Sequence, residues 1–195
     1  MSLEVCNIMS KYDPKHATFL DSEERKSRLP PERLLSFLEL ETQDVVLDLG
    51  AGTGFLTFPI AEFVEMGKVY AVDVQKEMLD ELEKKCAERG CENIDIVLSE
   101  EGDIPLKNGL FDKAFAINVL HEIEDEKTLE EIYRTMKNDA QICIVDWDKE
   151  VITERGPPTH ERLTLEDAVD LLEEHGFTIT DKGRLEDYYW MICKR

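Results

Sequence analysis

From Asp44 onward, short apolar runs alternate with longer amphipathic ones. "DVVLDLG" (44–50) is a brief, nearly continuous apolar run ending in turn residues, the pattern of a strand buried on both faces. "FLTFPIAEFVEMG" (55–67) then carries apolar residues at helical spacing. Pro59 sits near its start, where a missing N–H does least harm, and Gly67 ends it. "KVYAVDV" (68–74) is a second strand, "KEMLDELEKKCAERG" (76–90) an amphipathic helix with i,i+4 charge pairs, and "NIDIVLS" (93–99) a third strand. "LFDKAFAINVL" (110–120) reads as strand four, 124–137 as a helix, and "AQICIVDW" (140–147) as strand five. After a Pro/Gly loop, "RGPPTHER" (155–162), a helix capped by Thr164 leads into two strand-like runs joined by a few polar residues. That junction is too short for a parallel crossover, so the last two strands pair antiparallel.

This order predicts an α/β fold: a Rossmann-like, doubly wound, seven-stranded sheet, mostly parallel with the last strand antiparallel. Residues before Leu40 differ. "DSEERKSRLPPERLLSFLEL" predicts two short helices broken at Pro30-Pro31, an N-terminal helical segment. The chain therefore divides into residues 1–40, expected to form a lid over the site with Tyr12 and Phe19 facing the substrate, and residues 41–195, the main domain.

A net charge of −21 repels phosphate backbones and anionic headgroups, so neither nucleic acid nor a membrane is an expected partner. No apolar run approaches the roughly 20 residues of a membrane helix, and the first residues lack a signal peptide's basic and apolar regions. The five cysteines show no CxxC pair and no histidines at zinc spacing, which predicts reduced thiols, no metal and a cytoplasmic location.

The chemistry concentrates in "VLDLGAGTGFLT" (46–57), with Gly50, Gly52 and Gly54 packed directly behind strand one. Glycines there let the backbone turn sharply and approach a ligand at the C-terminal edge of a parallel sheet. A Walker loop needs GxxxxGK[ST], and no lysine follows. A dinucleotide loop needs GxGxxG, and here the spacing is GxGxG, with Asp48 before it. Asp73 ends strand two about 20 residues past the loop, the place of a ribose-binding carboxylate or of a plain strand-end turn.

Asp48 followed by GxGxG resembles the first motif of the class I S-adenosylmethionine-dependent methyltransferases. The order of elements after Leu40 is similar to theirs as well, most of all to the small ubiquinone-biosynthesis-like group. The resemblance implies S-adenosylmethionine as cofactor, with the loop residues Asp48, Gly50, Ala51, Gly52 and Gly54 around its methionine end and ribose. It places Asp73 and Val74 at the ribose. It places Glu100, with Glu101 and Gly102, at the adenine, Asp103 being the alternative if the loop is slipped. Asn118 and Val119 match positions whose backbone meets the methionine part. The Asn/Asp-Pro-Pro-aromatic signature of adenine-modifying DNA enzymes is absent.

The methyl acceptor is then a small molecule, met by residues past strands four and five. His121 is a candidate general base or a packed helix-entry histidine. Asp146 ends strand five on the same edge, and His160 and Arg162 sit in the loop that follows. One pocket is expected to hold His121, Asp146 and at least one of the latter two. Two other classes compete: a nicotinamide-dependent oxidoreductase, against which the glycine spacing counts, and a non-catalytic binding module of the same fold. Arsenite methylation requires active-site cysteines, whereas Cys143 and Cys193 fall in buried strands.

Overall fold

A computed structural model describes residues 22–195. Tyr12 and Phe19 lie outside the described residues. Two short helices, α1 (Glu23–Arg28) and α2 (Pro31–Leu35), precede β1 (Val45–Leu49), with Leu29 and Pro30 between the helices and Pro31 opening the second. There follow α3 (Thr57–Phe63), β2 (Lys68–Asp73), α4 (Lys76–Arg89), β3 (Ile94–Leu98) and β4 (Phe111–Ile117). The chain closes with α5 (Lys127–Thr135), β5 (Met136–Trp147), α6 (Leu165–Glu174), β6 (Thr178–Leu185) and β7 (Tyr188–Lys194).

The strands form one sheet in the order β3-β2-β1-β4-β5-β7-β6. Every pairing from β3 to β5 is parallel, and β7 runs antiparallel to both β5 and β6. This is the expected architecture. Its core lies in layers on both faces of the sheet, and the alternation of side chains decides which layer each residue joins. On one face Leu47, Leu49, Ala114, Ala116, Ile142 and Ile144 pack together; on the other Val46, Phe115, Ile117, Cys143 and Val145 do. The second layer also takes in Leu29, Leu34 and Leu38, all buried, so the stretch behind α1 is anchored in the core. Truncating such a buried leucine to alanine costs about 2–5 kcal/mol.

Two boundaries differ from the sequence expectation. The helix expected over 124–137 ends at Thr135, and β5 starts at Met136, because Met136 is buried and pairs with Phe111 across a register shift. The polar Lys137-Asn138-Asp139 run, with Asp139 at φ 62°, is thus carried inside a strand. Strand four ends at Ile117, not Leu120: Asn118 turns into the left-handed region at φ 60°, and Leu120–Glu122 form one 3-10 turn. At α6 the Thr164 hydroxyl accepts from the Asp167 N–H while the Asp167 carboxylate accepts from the Thr164 N–H, a reciprocal cap. No helix among the described residues is long and apolar enough to cross a membrane.

Candidate active site

The C-terminal ends of β2, β1, β4 and β5, and the start of β7, line up along one edge of the sheet. A cavity of about 660 Å³ opens there, within the range of about 300–1,000 Å³ usual for small-ligand clefts.

The glycine loop forms its floor. Gly50, Gly52 and Gly54 all have positive φ, at 65°, 54° and 96°. The Gly50 and Ala51 N–H groups donate to Val72 O, tying the loop to the end of β2. A Cβ on Gly50 would lie 2.2 Å from a Val119 methyl, so a side chain there would drive the loop off the end of β4. Gly54 faces away from the cavity: its Cβ would strike Leu82 and Phe58, so this glycine serves helix packing.

Asp73 lines the cavity in a fixed pose. Its Oδ2 accepts from the Gly52 N–H at 2.8 Å, and its Oδ1 from the Gln75 N–H at 2.9 Å. Asp48 lies deeper, its Oδ2 accepting from the Thr57 hydroxyl at 2.6 Å. Burial pushes its carboxyl up to about 7; the Thr57 bond opposes the rise and Asp73 adds to it.

Ala51, Val74, Glu100, Glu101, Asn118 and Val119 also line the cavity, and Gly102 does not. Glu101 Oε2 accepts from the Asp125 N–H, which fixes the loop after β3. Asp103 pairs with Glu100 in an isolated bridge and stays outside the lining. The Asn118 Oδ1 is buried without a hydrogen-bond partner. Such an acceptor calls for a donor from a ligand or solvent.

At the other end His121 lines the cavity and Asp146 stands behind it, fully buried. The His121 Nδ1 meets Asp146 Oδ1 at 2.6 Å. The same carboxylate accepts from the His121 N–H at 3.0 Å and the Trp147 N–H at 2.7 Å. Donation of Nδ1–H to Asp146 leaves the lone pair on Nε2, which lies 3.7 Å from Glu122 Oε1. Burial pulls the His121 pKa down, but the Asp146 charge and hydrogen bond, with Glu122 and Glu161, outweigh it, and the net direction is up.

His160 and Arg162 do not join this pocket. His160 is exposed beside Glu161, and Glu161 is the residue of that turn that lines the cavity. Arg162 is 2% exposed and directs its guanidinium inward, donating to Pro157 O at 2.9 Å, Val151 O at 3.4 Å and Arg155 O at 2.5 Å. It fastens the loop. The expected pocket thus contains His121 backed by Asp146, without either loop residue. Sequence reasoning passed over Met78, Ser99 and Ile104 near the loop, and Arg25, Arg28, Trp147, Arg155 and Tyr188 at the far wall. Cys143 and Cys193 are buried and outside the lining; burial raises both thiol pKa values, that of Cys193 to about 12. Among the described residues no group of His, Cys, Asp and Glu is placed to hold a metal ion.

Residues 40–184 match the family described as "Methyltransferase domain", and the chain belongs to it. A crystal structure of a SAM-dependent methyltransferase from Aquifex aeolicus is 33% identical, with a TM-score of 0.88 over 94% of this chain and 98% of that one. An uncharacterised methyltransferase of Schizosaccharomyces pombe is 28% identical over 81% of this chain and 65% of its own length. The ubiquinone/menaquinone biosynthesis C-methyltransferase of Escherichia fergusonii is 30% identical over 55% of this chain and 44% of its own. The chain spans less than two thirds of the length of these curated relatives. The chain thus carries a methyltransferase domain with the fold of the S-adenosylmethionine-dependent enzymes, and that fold implies S-adenosylmethionine rather than a nicotinamide as its ligand.

Proposed function

We propose that the protein transfers a methyl group from S-adenosylmethionine to a small-molecule acceptor, with His121 as general base and Asp146 as its positioning partner. One observation carries this reading: the glycine loop, Asp73 and His121 line a single cavity. The residues suit the cofactor. Asp73 is pre-set to accept from ribose hydroxyls, the partnerless Asn118 Oδ1 suits the amino group, and Glu100 and Glu101 lie where the adenine would reach. The acidity of Asp48 complements the cofactor's positive charges.

Held at Asp73 and the glycine loop, S-adenosylmethionine would supply an electrophilic methyl carbon, the C–S electron pair staying with sulfur. The protein holds the acceptor in line, and orientation alone contributes roughly 7–11 kcal/mol in well-placed systems. His121 Nε2 takes the proton that the acceptor sheds, and the Asp146 carboxylate stabilises the imidazolium so formed. The net charge of −21 favours a small molecule over nucleic acid. Residues 1–40 are the proposed lid: α1 lies at the mouth, where Arg25 and Arg28 line the cavity, and Leu29, Leu34 and Leu38 root it in the core. The reduced-thiol reading places the enzyme in the cytoplasm.

Calorimetry with S-adenosylmethionine and its demethylated product tests the cofactor, and a methyl-transfer screen over metabolites tests the acceptor. Absence of heat with both ligands overturns the reading. Once an acceptor is known, His121→Ala should lower the turnover rate and flatten its pH profile; an unchanged profile would reduce His121 to packing.

A further inference from the structure

The cysteines among the described residues fall into two kinds. Cys143 and Cys193 are fully buried in β5 and β7. Cys86 and Cys91 are half-buried, carry free thiols, and line one shallow surface cleft together with Glu83, Glu92 and Asp95. Neither of them lines the cavity at the sheet edge.

The way α4 ends brings this pair together. Gly90 stops the helix in the left-handed region, at φ 70° and ψ 39°. The N–H groups of Gly90 and Cys91 both turn back onto Cys86 O, that of Cys91 at 3.1 Å. The Cys91 bond is of the 6→1 type, and the side chains at the two ends of such a closure commonly touch. Here those two side chains are the cysteines, one on the last turn of α4 and one at the entry to β3. Both pack on the apolar cluster of Leu79 and Leu82.

The two thiols act on one another. Burial first, and then the Cys91 side chain as a charge and a hydrogen-bond partner, push the Cys86 thiol up to about 11; Arg89 opposes the rise and Glu83 adds to it. Cys86 therefore keeps its proton while Cys91 reacts. A disulfide bond needs Cα atoms about 4.4–6.8 Å apart and Cβ atoms that face each other, which a closed helix end of this kind provides without moving the backbone. Fully buried Cys143 and Cys193 offer an oxidant no such access.

We propose that Cys86 and Cys91 form a reversible disulfide, closed by exchange with a low-molecular-weight disulfide. The Cys91 thiolate attacks one sulfur of the oxidant and releases the other as a thiolate. Cys86 then gives its proton to solvent, attacks the Cys91 sulfur and releases the second thiolate. The protein loses two S–H hydrogens and gains one S–S bond, and the oxidant's S–S bond is reduced to two thiols. In a reducing compartment the pair rests open and closes when the disulfide share of the thiol pool rises. Closure staples the end of α4 to β3. Lys85, the neighbour of Cys86, donates to Thr53 O of the glycine loop at 3.0 Å, so the staple lies one residue from a contact to that loop. The proposal stands independently of the methyl-transfer reading.

The test equilibrates the full chain with mixtures of 2-mercaptoethanol and its disulfide, a neutral couple that the carboxylates of the cleft do not repel. Free thiols are then capped with N-ethylmaleimide and the unreduced protein is digested with trypsin. Cleavage after Lys85 and Arg89 puts the two cysteines on separate peptides, 86–89 and 90–107, so the bond appears as one linked pair. That pair should form while the intact mass stays that of a single chain. Its formation consumes one disulfide and yields two thiols, so diluting both reagents at fixed ratio should raise the linked-to-open ratio about in proportion to the dilution. In Cys86→Ser only a mixed disulfide at Cys91 should form, and its extent should follow the reagent ratio and ignore dilution. Cys91→Ser should cap Cys86 at least fivefold more slowly, and equal rates in the two variants would overturn the order of attack. No linked pair in the most oxidising mixture, or only mixed disulfides on the wild-type chain, overturns the proposal.

Discussion

Asp48→Asn should change how both stability and cofactor binding depend on pH. Asp48 is 3% exposed in the middle of the sheet, and burial raises its carboxyl pKa from 3.8 to about 7. The folded chain therefore holds this proton more tightly than the unfolded chain. Its contribution to stability is fully present below the unfolded value near 3.8 and is lost as pH rises through about 7. One pKa unit corresponds to about 1.4 kcal/mol, so ionised Asp48 costs the folded state roughly 4 kcal/mol above pH 7, and roughly 2 of these accrue between pH 5.5 and 7. Asparagine keeps the shape and an acceptor for Thr57 but has no proton to lose. Relative to wild type, the variant should gain about 2 kcal/mol of stability across that interval. Urea denaturation at pH 5.5 and 7.5 measures this directly, and identical pH dependence in the two proteins refutes the argument. The cofactor provides a second readout. A cationic ligand beside Asp48 favours the carboxylate, so binding near pH 6.5 should expel a proton, and affinity should rise with pH by at most about tenfold per unit from this group. Calorimetry in buffers of different protonation enthalpy counts the protons, and the Asn variant subtracts those of the ligand's own amine. Equal proton release from both proteins would show that Asp48 does not sense the ligand's charge.

Asp73→Ala should weaken S-adenosylmethionine binding by about 1–3 kcal/mol, through loss of charge-assisted hydrogen bonds, as calorimetry would show. Gly52→Val puts a branched residue at φ 54°; it should abolish cofactor binding with the far-UV circular dichroism of the wild type retained, and normal affinity would remove the loop as the cradle. Asp146→Asn should lower the His121 pKa, read from the ring Cε1–H resonance during an NMR titration. Because that pKa is raised in the folded wild type, its stabilisation is complete below the unfolded value near 6.5 and vanishes as pH climbs through the folded one; the variant should lack this pH-dependent share.

The fold was legible because its signals are local. Apolar runs on strands buried on both faces, the Thr164 cap and the Pro30-Pro31 break all lie within a few residues of what they specify. The same holds at the glycine loop, where spacing and backbone geometry are one property. The far wall of the cavity was not legible, since it joins α1, the end of β5 and the start of β7, which meet only once the sheet is assembled. In "DSEERKSR" the sequence predicts a short helix, and nothing in its pattern marks Arg25 and Arg28 as residues that line the cavity. In "RGPPTHER" the sequence points to His160 and Arg162, whereas burial makes Arg162 the fastener of the loop and Arg155 and Glu161 line the cavity instead. Sequence pattern ends the helix at Lys137 and starts strand five at Ala140, and only the pairing of Met136 with Phe111 draws residues 136–139 into β5.

The reversed direction of β7 gives the molecule two poles. Tyr188 lies opposite Trp147 at the cavity, whereas Arg195 ends beside the start of β5, its N–H on Ala140 O and its guanidinium on Met136 O and the Tyr133 ring. A tether attached at Arg195 would hold the protein by its rear and leave the cavity facing outward. A tether placed just ahead of α1 would crowd the mouth itself. For surface immobilisation or paired fluorophores, Arg195 is the neutral handle and α1 the sensitive one.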